Sequence, residues 1–367
     1  MSIFDAIDQP TLLINEGVAR ENIQRMVEKV RGAGVRFRPH FKTHQSAEIG
    51  EWFRENGVDR ITVSSVEMAE YFAANGWQNI LIAFSVNIRQ VQKLQNLARK
   101  VKLNLLVENT EAVNVLAQLP QFSADIWIKI DAGAHRTGID WRETEVVEGL
   151  IRELTRHPGL HFRGLLTHSG NTYHCENPLE VVHAFRDGVA KMNTLRDDLL
   201  RKGVVGIEIS VGDTPGCSLC EDFSGIDELR PGNFVFYDAQ QLTIGSCTAD
   251  KLAVAVACPV VAIHPERNEV VIYGGAIHLS KDLMEVDGKT SYGLVAFAKG
   301  EGWGAPVPGA TVCSLSQEHG VIRFDNDQFR HLSVGDLVCI LPAHSCLTVQ
   351  LLRKYLTLSG RVISTMN

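Results

Sequence analysis

Val35-Arg36-Phe37-Arg38-Pro39-His40-Phe41-Lys42-Thr43-His44 reads as a short β-rich run, 35–39, that ends in a lysine flanked by an apolar residue and two histidines. A segment of helical period follows at 47–56, and then a second apolar run at 61–65. The same alternation continues outward. Further strands are predicted at 79–84, 103–108, 125–131, 162–168, 208–211 and 233–237, with amphipathic segments at 67–75, 91–100, 111–118, 144–157 and 179–202 between most of them. Strand, helix, strand repeated in this way requires parallel strands joined by right-handed crossovers. Eight such units within about 250 residues have the count and size of a (β/α)8 TIM barrel, an α/β fold.

Beyond Ser246 the texture changes to close-spaced apolar runs with turn residues between them: 252–261, 269–273, 310–316, 320–324, 337–341, 347–352 and 355–363. This pattern predicts an antiparallel β domain. The expected organisation is therefore a barrel over residues 16–245 and a C-terminal β domain over 246–367, with residues 1–15 able to add a strand, at 10–15, to the latter.

Composition narrows the function classes. The chain has 367 residues, with 36 Lys and Arg against 43 Asp and Glu and a formal net charge of −7. A mildly acidic protein without a dense basic run is not built to neutralise phosphates, so no nucleic-acid or membrane-surface partner is expected. No uninterrupted apolar stretch is long enough for a membrane span, and the opening MSIFDAIDQP carries acids where a signal peptide would be basic and then apolar. A cytoplasmic enzyme acting on a small molecule is expected. The 8 Cys are scattered, which reads as reduced thiols, and Cys217 and Cys220 form a C-x-x-C pair with no second pair at zinc-site spacing.

In a barrel the chemistry sits in the loops that follow the strands. At the first strand end, burial and neighbouring positive charge would favour Lys42 as the free amine that attacks a carbonyl. The fifth strand ends in the glycine-rich turn Asp131–Gly138, which presents Arg136, and the sixth in Thr167–His174, whose polar and aromatic groups suit a planar ligand. The turns assigned to strands seven and eight, 212–216 and 230–233, carry the small residues from which barrels build phosphate cups. In the β domain, Pro342-Ala343-His344-Ser345-Cys346 places an imidazole and a thiol at i and i+2. On an extended segment these point the same way and could grip one Zn²⁺-like ion in an open site.

Taken together, RPHFKTHQ, DAGAHRTG, VGDTPG, ELRPGNFVFYD and the terminal PAHSC resemble the fold-type III pyridoxal-phosphate enzymes, in the branch of D-serine dehydratase, D-threo-3-hydroxyaspartate dehydratase and D-threonine aldolase. The resemblance implies a barrel of the alanine-racemase type plus a β domain, assembled as a homodimer, with pyridoxal 5′-phosphate held at Lys42. It implies Arg136 facing the cofactor ring, a phosphate cup of Thr214, Gly232 and Asn233 with Tyr173 and His168 nearby, and a divalent metal on His344 and Cys346. Zinc is the first expectation for that metal, with manganese, magnesium or cobalt as alternatives. The sequence departs from the family pattern at Asp213, where a small or hydroxyl residue is usual, and at Gly216, where Thr or Ser is common.

The function implied is dehydration of a D-3-hydroxy amino acid to a 2-oxo acid and ammonia. Lys42 would take the α-proton, and His40, His44 or His168 is available near the hydroxyl. The alternatives are retro-aldol cleavage to glycine and an aldehyde, and racemisation, which would need a second base such as Tyr273, Tyr292 or Tyr355. A non-catalytic cofactor carrier resembles the barrel alone and would lack the β domain.

Overall fold

The computed structural model describes residues 3–366, which form two compact units. One unit comprises residues 25–42 and 50–232. Its eight parallel strands follow chain order around a ring: Arg36–Phe37, Ile61–Val63, Asn79–Ser85, Lys102–Val107, Ala124–Asp131, Leu160–Leu166, Glu208–Val211 and Glu228–Leu229. The last strand pairs with the first through Glu228↔Arg36 and Leu229↔Phe37. The first meets the second just past its end, where the Thr62 N–H donates to the Pro39 carbonyl and the Phe41 N–H to the Thr62 carbonyl, both at 2.8 Å. The barrel is thereby closed.

The connecting helices start where the sequence supplies caps. Asn177 accepts from the Glu180 N–H at 3.0 Å ahead of Pro178–Arg201, whose proline occupies the first turn, where a missing N–H is harmless. Ser65 and Asn109 cap Val66–Ala74 and Thr110–Ala117 in the same way. Inside the barrel, Leu81, Leu106, Trp127 and Leu166 form an apolar cluster. A buried polar layer is built from Arg38, Asn79, Asn104, Ser210, Glu228 and Arg230.

The eighth strand corrects the sequence reading. It lies at Glu228–Leu229, whereas Asn233–Val235, inside the run predicted to be that strand, is a buried 3₁₀ turn. The strand is only two residues long and carries a carboxylate paired with Arg38 at 2.9 Å, so it shows no apolar run. The apolar residues at 233–237 serve the other unit, where the Phe236 ring lies 5.6 Å from that of Tyr355. With the strand moved, Arg230-Pro231-Gly232 follows it directly.

Among the described residues, the second unit comprises 3–24, 43–49 and 233–366. Six antiparallel strands close a barrel in the order Val254–His264, Glu269–Tyr273, His319–Phe324, Ala310–Leu315, Gly293–Lys299, Leu337–Pro342 and back to Val254–His264. Thr11–Ile14 adds to its edge, antiparallel to Val254–Ala257 and parallel to Lys354–Thr357, which in turn pairs with Val362–Ser364. Among the described residues no helix is long and apolar enough to cross a membrane.

Phe41, the residue before Lys42, has no exposed surface and packs against Phe53, Phe72 and Trp77 with ring centroids 4.9, 5.0 and 5.1 Å away. This aromatic cluster fixes the backbone from which Lys42 projects. Phe41→Ala should therefore cost about 3–5 kcal/mol of stability in urea titration. Phe41→Leu should cost much less, because it leaves a smaller cavity.

Candidate active site

In the (β/α)8 unit, Lys42 is half-buried at the end of the first strand, and its backbone N–H donates to His40 Nδ1 at 3.3 Å. The imidazole of His40 thus braces the turn that carries the lysine.

The turn Asp131–Gly138 is held by two carboxylates. Asp131 Oδ1 accepts from the N–H groups of Gly133 and His135 at 2.9 and 3.0 Å, and its Oδ2 lies 3.1 Å from His135 Nδ1. Glu108, at the end of the fourth strand, accepts from the Gly138 N–H at 2.6 Å and also from the Ser85 hydroxyl. Gly138 has φ +110°, and a Cβ there would lie 2.7 Å from the Asp131 nitrogen, so only glycine closes the turn. Arg136 is presented at the exposed tip, and its charge reaches inward to Lys129 and His168.

Lys129 was not singled out from the sequence. It is buried on the fifth strand, donates to the Ile130 carbonyl at 3.0 Å, and is lowered to about 7 by burial and by the charges of Arg230 and Arg136. A lysine inside the otherwise apolar run Ile126-Trp127-Ile128-Lys129-Ile130 was the available signal. His168 is kept neutral, well below its ordinary value, by burial and by Lys42, Arg136 and Lys129. Its Nδ1 donates to the Gly212 carbonyl, which leaves Nε2 as the accepting nitrogen.

Thr214 begins the short helix after the seventh strand, and its N–H donates to Tyr173 Oη at 3.2 Å. The Asp213 side chain turns into that helix, where Oδ1 accepts from the Gly216 N–H at 2.6 Å and from the Thr172 hydroxyl at 3.0 Å. The departure at Gly216 has a packing cause: a Cβ there would fall 2.1 Å from the Phe185 ring. Gly232 is buried in the turn after the eighth strand. Cys217 and Cys220 are both buried free thiols, raised by burial, and so are inert as nucleophiles.

In the β unit, His344 ends the loop after Leu337–Pro342, and Cys346 lies in the first turn of the helix Ser345–Leu352. The pair is brought together by this strand-to-helix turn, not by the extended segment expected from the sequence, and the two side chains hydrogen-bond to each other. Cys346 Sγ also lies 3.2 Å from Thr43 Oγ1. Asn233 Nδ2 donates to Ser345 Oγ at 3.0 Å and to Asp238 Oδ2 at 2.6 Å. Asp238, a further residue missed from the sequence, also lies 3.1 Å from His344 Nδ1.

His44 is fully buried, accepts from the Ser46 N–H through Nδ1 at 3.1 Å, and is lowered to about 3 by burial. Its carbonyl accepts from the Tyr355 hydroxyl at 2.7 Å, so both residues act as structural fixtures of the β unit. Among the described residues, no group of three or more His, Cys, Asp or Glu could hold a metal ion.

The family description "Alanine racemase, N-terminal domain" matches residues 14–240, and "Putative serine dehydratase domain" matches residues 253–358. The chain belongs to the alanine racemase N-terminal domain family. It is 30% identical to D-threo-3-hydroxyaspartate dehydratase of Delftia sp. strain HT23, over 93% of this chain and 92% of that one. It is 28% identical to D-serine dehydratase of Dictyostelium discoideum, over 95% and 93% of the two chains. The solved structure of the Delftia enzyme superposes with a TM-score of 0.90 at 27% identity, covering 100% of this chain and 99% of that one. Another solved structure is of a cysteine-to-alanine variant of D-threo-3-hydroxyaspartate dehydratase described as metal-free. D-threonine aldolase from Filomicrobium marinum, at 20% identity and a TM-score of 0.84 over 98% of this chain and 95% of that one, shares the fold.

The family is pyridoxal-phosphate-dependent, and the residues present fit that group. Lys42 shares the surroundings of His168 with Arg136 and Lys129, and these three charges add to the burial that holds His168 well below its ordinary value. Such a concentration of cationic groups suits an anionic, phosphate-bearing ligand. The adjacent imidazole and thiol of His344 and Cys346 are likewise a donor set suited to a borderline divalent metal.

Asp213 gives a test of the electrostatics. Burial raises its carboxyl to about 7, and its Oδ2 is buried with no hydrogen-bond partner. The folded chain thus keeps a proton that the unfolded chain releases near the ordinary value of 3.8. Its contribution to stability is full below that value and is lost as pH rises through about 7. Asp213→Asn keeps the helix cap, so its melting temperature should gain on wild type as pH rises from acid through neutrality. A gap that does not change with pH would show that folding leaves the Asp213 carboxyl at its ordinary value.

Proposed function

We propose that this protein is a pyridoxal 5′-phosphate- and divalent-metal-dependent lyase that dehydrates a D-3-hydroxy amino acid, in the manner of a D-serine dehydratase, to a 2-oxo acid and ammonia. The observation that carries this reading is that a chain parallel to the Delftia dehydratase over nearly its whole length holds a lysine-centred cationic barrel mouth in one unit and an imidazole–thiol pair in the other. Zinc fits the nitrogen and sulfur donors best, with manganese, magnesium or cobalt as alternatives. Eight free thiols support a reducing, cytoplasmic setting, and the family resemblance supports a homodimer.

When bound, the cofactor withdraws electrons from the substrate Cα and the metal acts as a Lewis acid toward the β-oxygen. The chain's own residues do the rest. The Lys42 amine accepts the α-proton. Neutral His168 offers Nε2 as an acceptor while Gly212 fixes its ring, which makes it better placed for proton traffic than His44, whose burial holds it in the fold. Arg136 supplies a guanidinium toward the cofactor ring, and Tyr173, Thr214, Gly232 and Asn233 bind its phosphate. His344 and Cys346 hold the metal.

The racemase alternative loses one candidate second base, because the Tyr355 hydroxyl is committed to the His44 carbonyl. Retro-aldol cleavage keeps support from D-threonine aldolase of Arthrobacter sp., which is 25% identical over 92% of this chain and 86% of its own.

Lys42→Ala should lose both activity and the covalent fixation of cofactor by borohydride, and a pyridoxyl adduct on another lysine would displace the assignment. Exhaustive chelation should abolish turnover while circular dichroism and cofactor content stay unchanged, and added divalent metal should restore it. With a panel of D-3-hydroxy amino acids, 2-oxo acid and ammonia should appear in equal amounts, slowed by deuterium at Cα. Faster release of glycine and acetaldehyde from D-threonine would replace dehydration with retro-aldol cleavage.

A further inference from the structure

Asp238 has no role in the reading above, yet its carboxylate is the most heavily engaged in the β unit. Its side chain has no exposed surface. The two oxygens divide their work. Oδ1 accepts from the Gln241 N–H at 3.0 Å and so caps the helix Ala239–Thr243. Oδ2 meets His344 Nδ1 at 3.1 Å, the Ser345 N–H at 3.1 Å and Asn233 Nδ2 at 2.6 Å. Helix capping needs only the first oxygen. The second gathers the imidazole, the backbone between the two metal-binding side chains, and the amide of Asn233, which also approaches Cys346 Sγ at 3.9 Å.

An ionised carboxylate can only accept, so the proton of a neutral His344 ring must sit on Nδ1. Nε2 is then left as the lone pair that a metal needs. With three donors already on Oδ2, the carboxylate is not itself a ligand.

We propose that Asp238 is the positioning residue of the metal pair, fixing His344 in the Nδ1–H form and raising the basicity of Nε2 toward a divalent cation. The inference rests on the reading of His344 and Cys346 as metal ligands. Asp238 also sets the backbone at Ser345, and hence the approach of Cys346.

The test measures Zn²⁺ affinity of the cofactor-loaded protein by chelator competition, with cofactor content and melting temperature followed in parallel. Asp238→Asn keeps an oxygen for the helix cap and should weaken Zn²⁺ binding about 10–100-fold while cofactor content is unchanged. In a His344→Gln background the same substitution should have almost no further effect, because Asp238 acts through the imidazole. On wild type stripped of metal, ¹⁵N-histidine NMR should show a hydrogen-bonded Nδ1 proton for the resonance that His344→Gln removes, which decides the matter even if Asp238→Asn fails to fold. If His344→Gln leaves Zn²⁺ affinity intact, the metal reading fails. If His344→Gln loses the metal but Asp238→Asn keeps it, or the neutral wild-type ring carries its proton on Nε2 and none on Nδ1, the positioning role alone is overturned.

Discussion

Arg38 and Glu228 form an ion pair at 2.9 Å across the seam where the (β/α)8 barrel closes, and both side chains are almost wholly buried. Two charges taken out of water are tolerable only when the remaining donors and acceptors are satisfied. Here they are: Glu228 also accepts from the Ser210 hydroxyl, Arg38 donates to Asn79, and the Arg38 carbonyl accepts from Thr62. Breaking such a pair by removing one partner costs about 3–5 kcal/mol, since the other charge is stranded. Three residues, Pro39, His40 and Phe41, separate Arg38 from Lys42, and every one of them is fixed by this seam or by the aromatic cluster around Phe41. The pair contributes register as well as stability, and Lys42 inherits that register.

The same economy of charge shapes the barrel mouth. Lys129 feels the charges of Arg230 and Arg136, and His168 those of Lys42, Arg136 and Lys129, while Asp131 and Glu108 spend acceptors on the backbone of the turn that carries Arg136. The cost falls on the groups that can shed a proton. Burial, reinforced by these charges, keeps His168 neutral and brings Lys129 close to being so. That concentration of positive charge is what an anionic cofactor relieves.

Much of this was legible in the sequence. Seven of the barrel strands announce themselves as apolar runs between helical segments, and the lysine, the glycine-rich arginine turn and the imidazole–thiol pair stand where strands end. The eighth strand was misplaced because its two residues are recruited for a buried ion pair, while a neighbouring apolar run belongs to another core. The supporting residues were harder still to find. Glu108 and Asp238 are ordinary acids by composition, and their importance comes from which backbone amides and rings lie across from them, which is tertiary information. Lys129 is the exception, since a lysine in the middle of an apolar strand asks for an explanation from sequence alone.

The strand Thr11–Ile14 pairs with Val254–Ala257 and with the strand Lys354–Thr357, both far from it in the sequence. Until Val254–Ala257 has been made, a run of four mostly buried residues has neither partner. The β unit therefore cannot be completed on the ribosome in the order it emerges, and its assembly is a late, long-range event with the slow closure such pairings entail. The other barrel, whose strands follow chain order around the ring, depends less on such distant pairings and is free to form first.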